Sequence, residues 1–105
     1  MNINQLIKVE DKSVKLIDKD YVVIMVGSSS CSPCKMMKPV FQSCEIENEE
    51  NYFYYDAEEI PSKLLFALGV LTLPHFSVVN KSGNHSFTGV FPIHKFKEKI
   101  NELIN

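Results

Sequence analysis

Cys31 and Cys34 sit three residues apart where an unbroken apolar run, Tyr21-Val22-Val23-Ile24-Met25-Val26, gives way to a helix-like stretch, Lys35-Met36-Met37-Lys38-Pro39-Val40-Phe41. The run shows no polar alternation. It fits a strand buried on both faces of a central sheet, and such a sheet needs a covering layer on each side. Two thiols at this spacing can close into a disulfide and reopen. The first lies where the dipole of the following helix favours an anion. A strand, a Cys-x-x-Cys turn and a helix together point to thiol–disulfide exchange.

The rest of the chain fits that reading. At 105 residues it is long enough for one core and too short for two, so a single domain spanning 1–105 is expected. Net charge is −2 and all 11 basic residues are lysine, so neither nucleic acid nor an anionic membrane is an expected partner. Three cysteines are too few for a disulfide-stapled secreted scaffold. No apolar stretch approaches the ~18 residues of a membrane span. The segment Met1-Asn2-Ile3-Asn4-Gln5-Leu6 has no basic stretch followed by an apolar core. The expectation is a soluble, cytoplasmic monomer.

Ile3 to Val9 fits either a short strand or a first helical turn. Asp11 to Asp18, with Val14 and Ile17 at helical spacing, predicts a helix. Tyr21–Val26 is a strand, and Cys34 to about Asn48 a helix bent at Pro39. Tyr52–Tyr55 is an aromatic strand, with Phe53 and Tyr55 on one face and Tyr52 and Tyr54 on the other. Pro61 opens a short helix through Ala67 that Gly69 stops. His75–Val79 and His85–Phe91 form a hairpin around Asn80-Lys81-Ser82-Gly83-Asn84. Pro92 starts a last helix with Phe96, Ile100, Leu103 and Ile104 on one face. The order is α/β, a mixed sheet flanked by helices on both faces.

From Tyr21 to the C-terminus the chain resembles the thioredoxin family. Cys31-Ser32-Pro33-Cys34 is similar to that family's Cys-Gly-Pro-Cys, and Lys35 and Pro39 match its lysine and helix-kinking proline. Asp56 ends the next strand, Leu73-Pro74 matches a cis-proline beside the disulfide, and Gly83 and Gly89 match turn and strand-end glycines. Four positions depart from the pattern. Ser30 replaces a tryptophan, Met25 a buried acid six residues before the first cysteine, Ser32 a glycine, and His75 a threonine. These bear on redox potential and partner choice.

The resemblance implies a thioredoxin fold and a protein-disulfide reductase acting in electron transport and cell redox homeostasis. Cys31 would be the nucleophile and Cys34 the resolving thiol. Leu73 and Pro74 would present backbone to a client strand, with Ser30, Ser32, Pro33, His75 and Gly89 as further client-facing positions. Clients would be disulfide-containing proteins, with electrons from a thioredoxin-reductase-like donor and no bound cofactor. With Met25 apolar, the Cys34 proton would leave through water or an exposed lysine.

Several residues carry a plainer reading. His75 is either an acid/base at the site rim or a strand residue facing solvent or packing outside the site, and alternation beside Pro74 favours the second. His85 and His94 read as surface residues. Lys35 and Lys38 read as a solvated helix face that adds positive charge near Cys31. Cys44, ten residues past Cys34, reads as a core cysteine, and nothing in the spacing brings it to the other two for zinc. The aromatic run lies among acidic rather than basic residues, which favours core packing over a stacking platform for bases. Two other roles stay open: a thiol oxidase or isomerase of more oxidising potential, and a non-catalytic binding module of the same fold.

Overall fold

A computed structural model describes residues 3–104. Met1, Asn2 and Asn105, and with them the start of the segment read for a leader, lie outside the described residues. A 3-10 turn, Ile3–Gln5, leads into strands β1 (Ile7–Glu10) and β2 (Ser13–Leu16). There follow β3 (Val22–Gly27), α1 (Ser32–Glu47), β4 (Tyr52–Asp56) and α2 (Ser62–Ala67). The chain closes with β5 (His75–Asn80), β6 (Gly83–Thr88) and α3 (Ile93–Ile104).

The main sheet has the order β4-β3-β5-β6. β3 runs parallel to β4 and antiparallel to β5, so the sheet is mixed. Every residue of β3 is buried, as its unbroken apolar run predicts. Val23 and Met25 face a core made with Met37 and Phe41 of α1 and Phe96 and Ile100 of α3. Val22, Ile24 and Val26 face the other core, made with Leu64 and Ala67 of α2 and with the β1–β2 hairpin. The two layers come from period-two alternation of a single strand. In β4 the same alternation sends Phe53 and Tyr55 to one core and Tyr52 and Tyr54 to the other, as expected. β4 is an edge strand, so only Tyr52 of the four is fully buried.

The helix expected over Asp11–Asp18 is instead the turn and second strand of an antiparallel hairpin. Glu10 pairs with Ser13, leaving Asp11-Lys12 as a two-residue connection. Asp11 takes φ 56°, the left-handed region that a short acidic side chain tolerates. The buried positions are then Val14 and, partly, Leu16, two apart. Ile17, the other half of the supposed helical pair, is 55% exposed. Residues 3–9 contain both structures weighed for them, a turn and then a strand.

The second hairpin is tighter than its composition suggests. Asn80 pairs with Gly83, so the turn is Lys81-Ser82 alone, and β6 ends at Thr88. Asn80 holds the corner. Its Oδ1 accepts from the Ser82 N–H at 2.8 Å, and its Nδ2 donates to the Leu103 carbonyl at 2.6 Å. Among the described residues no helix is long and apolar enough to cross a membrane.

Candidate active site

β3 ends at Gly27, and residues 28–31 turn the chain into α1. Ser28 organises this turn, a role that composition alone did not single out. Its carbonyl accepts from the Cys31 N–H at 3.2 Å, and its hydroxyl lies 2.9 Å from that of Ser30 and accepts from the Ser30 N–H at 3.2 Å. Cys31 is the N-cap of α1 with extended backbone, φ −100° and ψ 110°. Its sulfur accepts from the Cys34 N–H at 3.2 Å, the position a capping oxygen ordinarily takes. Pro33 in the first turn has no N–H to leave unpaired.

Cys31 and Cys34 form a disulfide with 5.2 Å between their α-carbons. The two thiols differ in access. Cys31 is half-buried at the surface, flanked by exposed Ser30, Ser32 and Pro33. Cys34 is 2% exposed. A sulfur at a helix N-terminus with an N–H aimed at it is stabilised as a thiolate. Cys34, inside the first turn, lacks that arrangement.

The Leu73-Pro74 peptide is cis. Pro74 is buried, its carbonyl accepts from the Thr88 hydroxyl, and Leu73 is half-buried. Val26, the last side chain of β3, pairs with His75, so the 73–74 segment lies beside the β3–α1 turn. Gly89 takes φ 129°, and an added β-carbon would meet the Phe91 ring at 3.4 Å. From there the Phe91 N–H donates to the Met37 sulfur at 3.2 Å, tying the segment after β6 to α1.

His75 is placed differently from a solvent-facing strand residue. It is 5% exposed and lies on the sheet face opposite α1, with Nε2 2.8 Å from the Ser77 hydroxyl. Ser77 in turn lies 3.2 Å from the Ser86 hydroxyl. The sheet itself lies between this polar row and α1. Burial pushes the imidazole below its ordinary 6.5. An unfolded chain takes up a proton as pH falls through 6.5 while the folded one resists, so stability is full above that pH and declines on acidification. Urea midpoints at neutral and mildly acidic pH are expected to show this decline, and His75→Gln is expected to flatten part of it. Equal pH slopes for the two proteins would refute the assignment.

The remaining candidates lie away from the disulfide. Cys44 is buried, and burial pushes its thiol up. Ten residues of helix put it about 15 Å along the axis from Cys34. His94 is exposed, as expected, but His85 is half-buried in the β5–β6 corner, 2.8 Å from the Ser82 hydroxyl. Lys35 is exposed, and Lys38 places Nζ 4.6 Å from the centre of the Tyr54 ring. Among the described residues no three His, Cys, Asp or Glu side chains come together as a metal site would require.

No protein-family model and no curated protein sequence matches the chain. Solved structures do. The germline-specific thioredoxin Deadhead of Drosophila melanogaster superposes with a TM-score of 0.65 at 20% identity, covering 82% of this chain and 83% of that one. A mutant thioredoxin of Halobacterium salinarum gives 0.70 at 21% identity, covering 84% and 78%. Thioredoxin F from spinach chloroplast gives 0.67 at 23% identity, covering 82% and 72%. With its mixed sheet flanked by helices and its cysteine pair at the start of α1, the chain has the thioredoxin fold.

Proposed function

We propose that this protein is a thiol–disulfide oxidoreductase that works as a protein-disulfide reductase. The unequal access of its two cysteines carries the reading. Half-buried Cys31, with an N–H aimed at its sulfur, can meet a client disulfide, and Cys34 waits within reach behind it. In the forward direction the Cys31 thiolate attacks one client sulfur and forms a mixed disulfide. Cys34 then attacks Cys31, closes the internal disulfide and releases the client as a dithiol. The client gains two electrons and the cysteine pair loses two. A reductase partner would restore the dithiol, and no bound cofactor enters the cycle.

Leu73, Pro74, Ser30, Pro33 and Gly89 would frame the client segment. The reduction potential of the Cys31–Cys34 pair tests direction, by equilibration in graded dithiothreitol or glutathione buffers. The expected value is on the order of −220 mV or lower, at or below the glutathione poise of a reducing cytosol. A value near about −120 mV would instead mark a disulfide donor or isomerase.

A further inference from the structure

Gly27 ends β3 directly beneath Cys34, and its lack of a side chain leaves a small gap. A β-carbon placed there would lie 3.4 Å from the Cys34 β-carbon and 2.9 Å from the hydroxyl oxygen of Tyr54. The backbone of Gly27 lies outside the left-handed region, so it is space rather than conformation that the glycine provides. Tyr54 reaches this point because β4 runs parallel to β3 with Met25 opposite Tyr54 and Gly27 opposite Asp56. A long side chain leaning along its strand from the Met25 level arrives over Gly27. Lys38, one helical turn beyond Cys34, lies over the same ring.

Cys34 needs a group of this kind. Its sulfur must become a thiolate to resolve the mixed disulfide, yet it is buried, and burial disfavours the charged form. Cys31 has an N–H aimed at its sulfur, and Met25 offers nothing polar on the core side.

We propose that the Tyr54 hydroxyl donates a hydrogen bond to the Cys34 sulfur once the disulfide opens, stabilising the resolving thiolate. The inference rests on the oxidoreductase reading above. In the step it serves, the Cys34 proton leaves to solvent by way of the hydroxyl of half-buried Tyr54, and the thiolate attacks Cys31. The Cys31–Cys34 bond forms and the bond from Cys31 to the client sulfur breaks. The departing sulfur keeps the electron pair and takes a proton from water. Burial and the nearby Asp56 charge both raise the Tyr54 phenol, which keeps it in the donor form. The charged groups around it are Asp56 on its own strand and Lys38 from α1, while β3 contributes only Met25 and Gly27.

The test reads Cys34 directly. In a Cys31→Ser background, alkylation of Cys34 by iodoacetamide is followed against pH, with peptide-resolved mass spectrometry to separate Cys44. Tyr54→Phe keeps the ring under Lys38 and removes only the hydroxyl. It is expected to move the alkylation midpoint to higher pH and to slow modification near neutral pH about tenfold or more. The difference should close at pH values above both midpoints. Gly27→Ala, which fills the gap and displaces the hydroxyl, is expected to shift the midpoint in the same direction and serves if Tyr54→Phe does not fold. An unchanged midpoint in the folded variant overturns the proposal. The oxidoreductase reading fails on a separate result, in the protein with both cysteines intact. Mixing its reduced form with a chromogenic aryl disulfide would then release one thiolate at Cys31 and no second one from closure by Cys34.

Discussion

Cys31→Ser is expected to reduce turnover of a protein disulfide to background, a loss on the order of a thousandfold or more, because the attacking sulfur is gone. Cys34→Ser should behave differently. It keeps the half-buried Cys31 thiol at the N-cap of α1 and removes only its buried partner. The first attack proceeds and the mixed disulfide has no internal thiol to resolve it, so a covalent adduct through Cys31 accumulates. Non-reducing electrophoresis with a reduced-thiol trap reads both outcomes in one experiment. Serine at position 31 would also still cap the helix, since its hydroxyl accepts from the Cys34 N–H as readily as sulfur does. Measured against the reduced wild-type protein, which likewise lacks the Cys31–Cys34 disulfide, the melting temperature should therefore change little while activity disappears. Residual reduction by Cys31→Ser, or no adduct with Cys34→Ser, would mean that exchange does not start at Cys31.

The cysteine pair at the start of α1 and the β3 layer were legible because both are local. Cys-Ser-Pro-Cys is covalent spacing, and the apolar run before it can be buried only by two layers. The two faces of Tyr52–Tyr55 followed from the same period-two rule. The β1–β2 hairpin was not legible. Val14 and Ile17 are three apart and fit a helix, whereas the structure uses Val14 and Leu16, and the deciding feature is a left-handed Asp11 that carries no Gly or Pro signal. The burial of His75 depends on Ser77 and Ser86, partners that only strand pairing supplies. The convergence of Tyr54 and Cys34 on Gly27 depends on the parallel β3–β4 register and on a glycine whose importance is the space it leaves. For His75 and Tyr54 the missing information was a non-local pairing, and for the first hairpin it was one residue's backbone conformation.

Phe96→Ala is expected to cost about 3–5 kcal/mol, the range for truncating a fully buried aromatic in a close-packed core. Phe96 is 0% exposed and sits at the meeting point of three elements. Its ring lies 5.0 Å from Phe76 of β5, 6.1 Å from Phe87 of β6 and 6.4 Å from Phe41 of α1. The chain has no tryptophan, and Phe96, Phe76 and Phe41 are the largest fully buried side chains among the described residues. Removing one leaves a cavity that three rigid neighbours cannot close, and edge-to-face pairing adds to the transfer term. For a chain of this length that destabilisation lowers the melting temperature by roughly 15–30 °C. Phe66→Ala supplies the contrast. Phe66 is 64% exposed, and its removal should move stability by less than about 0.5 kcal/mol. Urea titration of both variants decides the matter, and a loss under about 1 kcal/mol for Phe96→Ala would show that α3 is not anchored there. The consequence reaches the site, because α3 follows the segment in which the Phe91 N–H meets the Met37 sulfur of α1. At temperatures where Phe96→Ala remains folded, a loosened α3 should leave attack by Cys31 intact and weaken client docking around Gly89, visible as a raised KM with little change in kcat.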